Sequence, residues 1–413
     1  MKLSLCLVFV GLIALALSKQ VKYDNYKVFR ITPQTEEERK VLLDLEENNP
    51  GVVFWKHVRQ VGLPVDIMVP PHLLPMMEEG VKGRVLNMQE MVDDVQSLIN
   101  AEAQSSLNAA PRLSWDAYYP VNEIYQFLDD TAAAHSAIAT TGSFGNSFEN
   151  RPLRFIRLNK GNTAKPIIFI DANIHAREWI TNTIATWITK ELLEGEAQGW
   201  LDTFNFVIVP VMNPDGYEYS RTTDRMWRKT RSNYGGGTCR GADPNRNFRF
   251  GWNTGGSSNQ PCSDTYMGVS ALSEPETAAA AAFLDTIASE TIFYLSLHSY
   301  SQLILIPYGT DLGRVPDHAQ HMDIGNAAAT AIARRYGTRF TPGNIVELLY
   351  VASGASVDHM KGIYDTDLAY TFEMRDTGRY GFVLPADQIT PSCLEFMDGL
   401  NVILERLATK YAK

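Results

Sequence analysis

The stretch “PIIFIDANIHAREW”, residues 166–179, decides how this chain folds. Its first half is an unbroken apolar run of strand length, and a strand that does not alternate is buried on both faces. Straight after the run stand His175, Arg177 and Glu178, followed by “WITNTIATWITKELLEG” (179–195), a helical pattern. In open α/β sheets, ligands bind beyond the carboxyl ends of the strands, which is where this His and these charges fall. A turn with solvated side chains is the plain explanation, and a metal site is the other.

Working outward, the same grammar repeats from residue 113 to the C-terminus. Apolar runs of strand length (“FNFVIVPVM”, “TIFYLSLHS”, “QLILIPYG”, “LAYTFEM”) alternate with helical stretches such as “SEPETAAAAAFLDTIAS”, “DIGNAAATAIARRYG” and “SCLEFMDGLNVILERLAT”. That pattern predicts an α/β domain on a mainly parallel sheet. His298, after “IFYLSL”, stands at the end of a second such strand.

The N-terminal part reads differently. “MKLSLCLVFVGLIALALSKQ” has one Lys, an apolar run and then small residues, so residues 1–18 are expected to be a secretory signal. The run is shorter than the roughly 20 residues that span a membrane, and no later stretch is apolar enough, so a secreted, soluble, extracellular protein without a membrane partner is expected. Residues 19–112 carry short elements: strands at “NYKVFRI”, “GVVFWKHV”, “VDIMVP” and “GRVLNM”, helices at “EEERKVLLDLEE”, “PHLLPMMEEG” and “MVDDVQSLINAEAQSS”. Their order predicts a small α+β open sandwich. Between Arg84 and Arg112 there is no Lys or Arg, so Arg112 stands alone in a short polar linker that invites cleavage by a trypsin-like protease.

The 413 residues carry a net charge of −10, which argues against nucleic acid as a partner. Of the four cysteines, Cys6 leaves with the signal. Cys239 and Cys262 flank a loop-rich segment and are expected to be bonded in an oxidising compartment, leaving Cys393 free and buried.

There is no H-E-x-x-H, G-x-S-x-G, P-loop or dinucleotide fingerprint, and cysteines are too few for a cysteine zinc site. A metal would need His and carboxylate ligands. His175 and Glu178 are three apart, a spacing that shares one face at a helix start. A bare H-x-x-E is a weak signal, and His298 at a neighbouring strand end strengthens it. His318 and His321 (“PDHAQHMD”) form a competing pair that reads as a solvated face, and His359 reads as a packing or hydrogen-bonding residue. Glu373 ends an apolar strand pattern; a general base and an ion pair with Arg375 are equally open on the residues alone. Arg225, Arg228, Lys229 and Arg231 in “RMWRKTRS” would ordinarily be solvated. Asn245 and Arg246 lie between the paired cysteines, and planar Arg suits a carboxylate.

Together “HAREW”, “VPVMNPDGYEYS”, “RMWRKTRS”, “CRGADPNRNF”, “SLHSYSQ”, “YVASGASVDH” and “FEMRDTGRYGFVLP” resemble the secreted, digestive-type zinc procarboxypeptidases of the A subtype, over nearly the whole chain. Carboxypeptidase A is the type case of a His₂Glu zinc site. The resemblance implies an eight-stranded-type mixed, mainly parallel sheet flanked by helices at 113–413, and an inhibitory activation domain at 19–112. It implies one Zn²⁺ on His175, Glu178 and His298, Glu373 as general base, and Arg228 as the oxyanion group. Asn245, Arg246 and Tyr350 would clamp the substrate's C-terminal carboxylate. Arg177, Tyr300 and Phe382 would line the outer subsites, and Cys239 and Cys262 match the family's disulfide. Basic-specific relatives carry Asp at the pocket base. Here that position is Val357, with Ile345 and Gly309 beside it, so no buried charge and an apolar or aromatic preference are expected. The resemblance implies a monomeric digestive enzyme whose partners are peptide C-termini, its own prodomain and an activating trypsin-like protease. Ile306, where the family often has Tyr, and a length difference between Asp358 and Glu373 are expected to reshape the pocket rim.

Overall fold

The computed structural model describes residues 20–49, 51–82, 88–107, 109–161, 164–234 and 237–411. The expected signal (1–18) and nearly all of the expected strand “GRVLNM” lie outside these residues.

The first unit comprises β1 (Lys27–Ile31), α1 (Glu36–Asn48), β2 (Val53–Lys56), β3 (Val65–Val69), α2 (Leu74–Lys82), β4 (Met88–Val92) and α3 (Val95–Leu107). Its sheet runs β2-β3-β1-β4, antiparallel throughout. The fourth strand thus begins at Met88, where the expected one ends, and α3 begins at Val95 rather than Met91. Strand alternation gives the sheet two apolar faces. Phe29, Ile31 and Ile67 pack with Leu42 of α1 and Met77 of α2. Val28 and Met68 face the other way and, with Trp55, meet Met226, Tyr300 and Phe382 of the second unit.

The second unit contains α4 (Val121–Ala134), β5 (Ala139–Asn146), β6 (Pro152–Leu158), β7 (Ile167–Ala172), α5 (Trp179–Glu194), β8 (Asn205–Val209), α6 (Pro214–Thr222), α7 (Pro275–Ile287), β9 (Thr291–Ser299), β10 (Leu303–Ile306), α8 (His318–Tyr336), β11 (Thr341–Asn344), α9 (Ile345–Leu348), α10 (Ser356–Tyr364), β12 (Leu368–Met374) and α11 (Ile389–Tyr411). The eight-stranded sheet has the order β11-β10-β12-β9-β7-β8-β6-β5. Its centre, β12-β9-β7-β8, is parallel, and antiparallel pairing is confined to β10–β12, β6–β8 and β5–β6. β7 shows why its sequence does not alternate: Ile168, Ile170 and Ala172 pack under α5, α8 and α11, whereas Ile167 and Phe169 pack under α7 and α10. With both faces covered, the central strands are mainly apolar and the ionisable His298 and Glu373 stand near their carboxyl ends, where the site lies.

Ile306 is buried in the core rather than set at a rim. The segment of altered length closes α10 through Asp365 in a left-handed conformation (φ 51°), and Thr371 within it lines the cavity described below.

Candidate metal centre and substrate cavity

The expected helix start at His175 is instead a turn. α5 begins at Trp179, and His175–Glu178 occupy the β7–α5 connection. Asn173 adopts a left-handed conformation (φ 55°) and its amide donates to the His175 carbonyl at 3.2 Å, and the Glu178 N–H donates to the same carbonyl at 3.2 Å. The turn still brings the side chains together. His175 Nδ1 is 2.8 Å from Glu178 Oε1, and His298 Nδ1 is 3.1 Å from both Glu178 Oε2 and His175 Nδ1. The three are buried, and they are the one cluster among the described residues with ligand atoms within 4.8 Å of one another.

This donor set fits zinc. Two imidazole nitrogens and a carboxylate oxygen converge from one side, as in three-ligand sites that keep a position open. The far nitrogen of His175, Nε2, is 3.1 Å from Asp243 Oδ1. A proton held there leaves Nδ1 as a lone pair facing the cluster. Burial opposes ionisation of Glu178, but the two imidazoles outweigh it and hold its carboxyl well below the usual carboxylate range.

Asp243 also receives Arg228, through Nε at 3.1 Å and Nη2 at 2.8 Å. Arg228 Nη1 is 3.8 Å from Glu178 and Arg228 lines the cavity. “RMWRKTRS” is therefore not a solvated cluster: Arg225, Arg228 and Lys229 are buried. Glu373 stands on β12 in register with His298 on β9, so parallel pairing puts both on one face. Burial pushes the Glu373 carboxyl up; His298 opposes and Glu178 reinforces this, leaving it at about 7. The ion pair with Arg375 does not form, because Arg375 turns to Glu395 at 2.6 Å.

Asn245 and Arg246 lie in a short turn between Cys239 and Cys262, which are bonded. Arg246 Nη2 donates to Tyr350 Oη at 3.2 Å, and both residues line the same cavity as the metal cluster and Glu373. Beyond them the wall is apolar, from Leu305, Ile345, Ala352 and Val357. Tyr300 and Phe382 line the cavity, but Arg177 does not: it is buried beneath the Phe382 ring and paired with Asp264 at 3.1 Å. His321 is buried rather than solvated and its Nε2 accepts from the Ala369 N–H. His359 packs between Phe248 and Tyr364, and neither nitrogen has a hydrogen-bond partner among the described residues. Cys393 is free and buried, as expected.

Comparison with known proteins agrees with this geometry. The zinc carboxypeptidase family matches residues 124–399, and the carboxypeptidase activation peptide family matches residues 29–102. This chain belongs to the zinc carboxypeptidase family. It is 36% identical to zinc carboxypeptidase A 1 of Anopheles gambiae, covering 97% of this chain and 95% of that one. It is 35% identical to human carboxypeptidase A1, covering 92% and 93%. Among solved structures, that of thrombin activatable fibrinolysis inhibitor aligns with a TM-score of 0.86 at 30% identity, over 94% of this chain and 100% of that one. Carboxypeptidase A from Helicoverpa armigera aligns with the same TM-score at 27% identity, over 95% and 99%. The protein is a zinc metallocarboxypeptidase, a zymogen that carries its own activation peptide.

That zinc carboxypeptidase is held shut in this structure. Trp55, Lys56, His57 and Arg59 of the first unit line the cavity and leave about 80 Å³, far below the roughly 300 Å³ at which small-molecule sites begin. Trp55 packs edge-on against Tyr300 and Phe382. Asp66 accepts from Tyr300 Oη at 2.7 Å while held by Arg30. Three successive catalytic-domain residues grip the prodomain: the Thr223 carbonyl accepts from the Val21 N–H, Asp224 accepts from Tyr23 Oη, and Arg225 binds Glu102 through two hydrogen bonds at 2.6 and 2.9 Å. None of these contacts was read from sequence, and neither was Asp243. For Asp243 a signal existed, an Asp directly ahead of the Pro-Asn-Arg turn. Among the described residues, no helix is long and apolar enough to cross a membrane.

Proposed function

We propose that this is a secreted A-type carboxypeptidase, divided into a signal (1–18), an inhibitory prodomain (19–112) and a catalytic domain (113–413), and activated by trypsin-like cleavage near Arg112, which is exposed. It removes C-terminal apolar or aromatic residues. One observation carries this reading: the metal cluster, Glu373, Arg246 and the apolar wall share a single cavity.

The roles follow from chemistry at each position. When bound by His175, Glu178 and His298, zinc supplies a Lewis acid that polarises a carbonyl and acidifies water. Arg246, with Asn245 and Tyr350, binds the terminal carboxylate, which restricts cleavage to the last peptide bond. Ile345 and Val357 receive the terminal side chain, and Tyr300 and Phe382 bear on the residues upstream once the prodomain has left, with Arg177 supporting the Phe382 ring from behind. Glu373, as carboxylate, takes the proton of the attacking water and delivers it to the leaving amine. Arg228, fixed by Asp243, donates to the developing oxyanion.

The test is limited trypsin digestion followed by blocked dipeptides ending in Phe, Leu, Arg or Lys, with and without a chelator. Phe and Leu should be released in a chelator-sensitive way. Faster release of Arg would overturn the A-type assignment, and no chelator-sensitive release would overturn the enzyme reading.

A further inference from the structure

A carboxylate stands directly behind the apolar wall, where no buried charge was expected. Asp358, in the first turn of α10, follows Val357 and is fully buried. Among the described residues its side chain has one hydrogen-bond partner, the backbone N–H of Gly309, which reaches Oδ1 at 3.0 Å and Oδ2 at 2.8 Å. No ion pair to it is formed among those residues. A buried carboxyl with one donor is costly, and burial pushes Asp358 up to about 7, with the Gly309 N–H and the Arg246 charge opposing.

Gly309 backs the pocket wall. Its carbonyl accepts from the Ala352 N–H at 2.6 Å. A Cβ built on Gly309 would lie 3.0 Å from the Ala352 carbonyl oxygen and 3.2 Å from Ile345 Cγ2. Ala352 and Ile345 both line the cavity. Gly309 is thus packed tightly against the wall on one side and tied to Asp358 on the other. A shift of this backbone by the width of a methylene would move the wall itself.

We infer that Asp358 is a specificity-determining positioning residue: by holding the Gly309 backbone from behind, it sets the width of the pocket that receives the substrate's C-terminal side chain. The inference rests on the carboxypeptidase reading above and adds a residue that touches no substrate. The hydrogen-bond acceptor does this work, not the charge. Widening or narrowing the wall alters the fit of a large side chain and leaves a small one nearly indifferent.

The experiment compares the trypsin-activated full-length protein with its Asp358→Asn, Asp358→Ala and Asp358→Glu variants on blocked dipeptides ending in Phe and in Ala, with kcat and KM measured separately. Phe release by the unsubstituted enzyme tests the carboxypeptidase reading by itself. Asp358→Asn keeps an acceptor and should hold the Phe/Ala ratio of kcat/KM within about threefold. Asp358→Ala frees the wall and Asp358→Glu pushes it inward, and each should lower the ratio about tenfold, through KM for the Phe substrate. Equal losses for both substrates, losses confined to kcat, or a collapse of the ratio in Asp358→Asn would overturn the inference. Should the Ala and Glu variants not fold, Gly309→Ala decides: its added Cβ should lower the same ratio, and an unchanged ratio overturns the inference.

Discussion

Glu373 shows how one position takes its character from its neighbours. Its carboxyl sits at about 7 because burial and Glu178 outweigh His298. A general base works as the carboxylate, so activity belongs above its pKa and is lost as pH falls through it. Bound zinc adds positive charge nearby and favours the carboxylate. Activation removes the prodomain's cover and the Lys56 charge, which act in opposite senses, so the acid limb of kcat/KM is expected near neutral pH. Glu373→Gln should keep the fold and the metal, measured by zinc content and circular dichroism, yet lose about a hundredfold or more in kcat together with that acid limb. A variant that retains the limb would assign it to another group. The sequence marked Glu373 because a charge at the end of an apolar strand needs a reason. It left the choice between Arg375 and catalysis open, since side-chain direction at a strand end depends on the neighbouring strand. Pairing with β9 sets Glu373 beside His298, while Arg375 bonds to Glu395 instead.

At the level of elements, what could be read in advance was local and what could not was distant. β7, β9 and β12 announce themselves as continuous apolar runs, and their polar ends mark the site. β5 and β6, antiparallel and partly exposed, went unread because their apolar pattern is diluted. Glu178 was read as a helical residue because its spacing from His175 suits a helix; the left-handed Asn173 makes a turn of the same reach. The proposed carboxylate clamp depends on a loop whose regular structure at Asn245 and Arg246 is a single short 3₁₀ turn, held by Cys239–Cys262 across a separation of 23 residues. Replacing both cysteines by Ser should destabilise the catalytic domain by about 3 kcal/mol in chemical denaturation. KM should rise more than kcat falls, because Arg246 and Asn245 lose their fixed position while Glu373 and the metal ligands stay on the sheet. A fall in kcat alone would show that the loop serves catalysis rather than binding.

Across the whole molecule, inhibition is built from contacts between segments far apart in sequence, which carry no periodic signal. Glu102 and Arg225 form a buried pair 123 residues apart, and Arg225 also donates to the carbonyls of Arg177 and Phe382. Removing one partner of a buried pair costs about 3–5 kcal/mol, since the other charge is left without compensation. Glu102→Ala should therefore loosen the prodomain by about a hundredfold or more. At equal extents of trypsin cleavage, scored on a gel, activity on a blocked Phe dipeptide should appear sooner than in the unsubstituted protein. Identical time courses would place the hold elsewhere, with Trp55 and Asp66 the next contacts to examine.

The register between β9 and β12 has one more consequence. His298 and Glu373 are partners across adjacent parallel strands, so the spacing between ligand and base is dictated by backbone hydrogen bonds. Most of the residues proposed to choose the substrate, by contrast, hang on the stretch from Ile345 to Asp358, outside that ladder, with Leu305 of β10 the exception. Reactivity and taste are therefore mechanically separate: the segment that selects can be exchanged or drift without retuning the machinery that cuts. A graft of residues 345–358 from a relative with another preference should transfer the preference and leave the hydrolytic step in place.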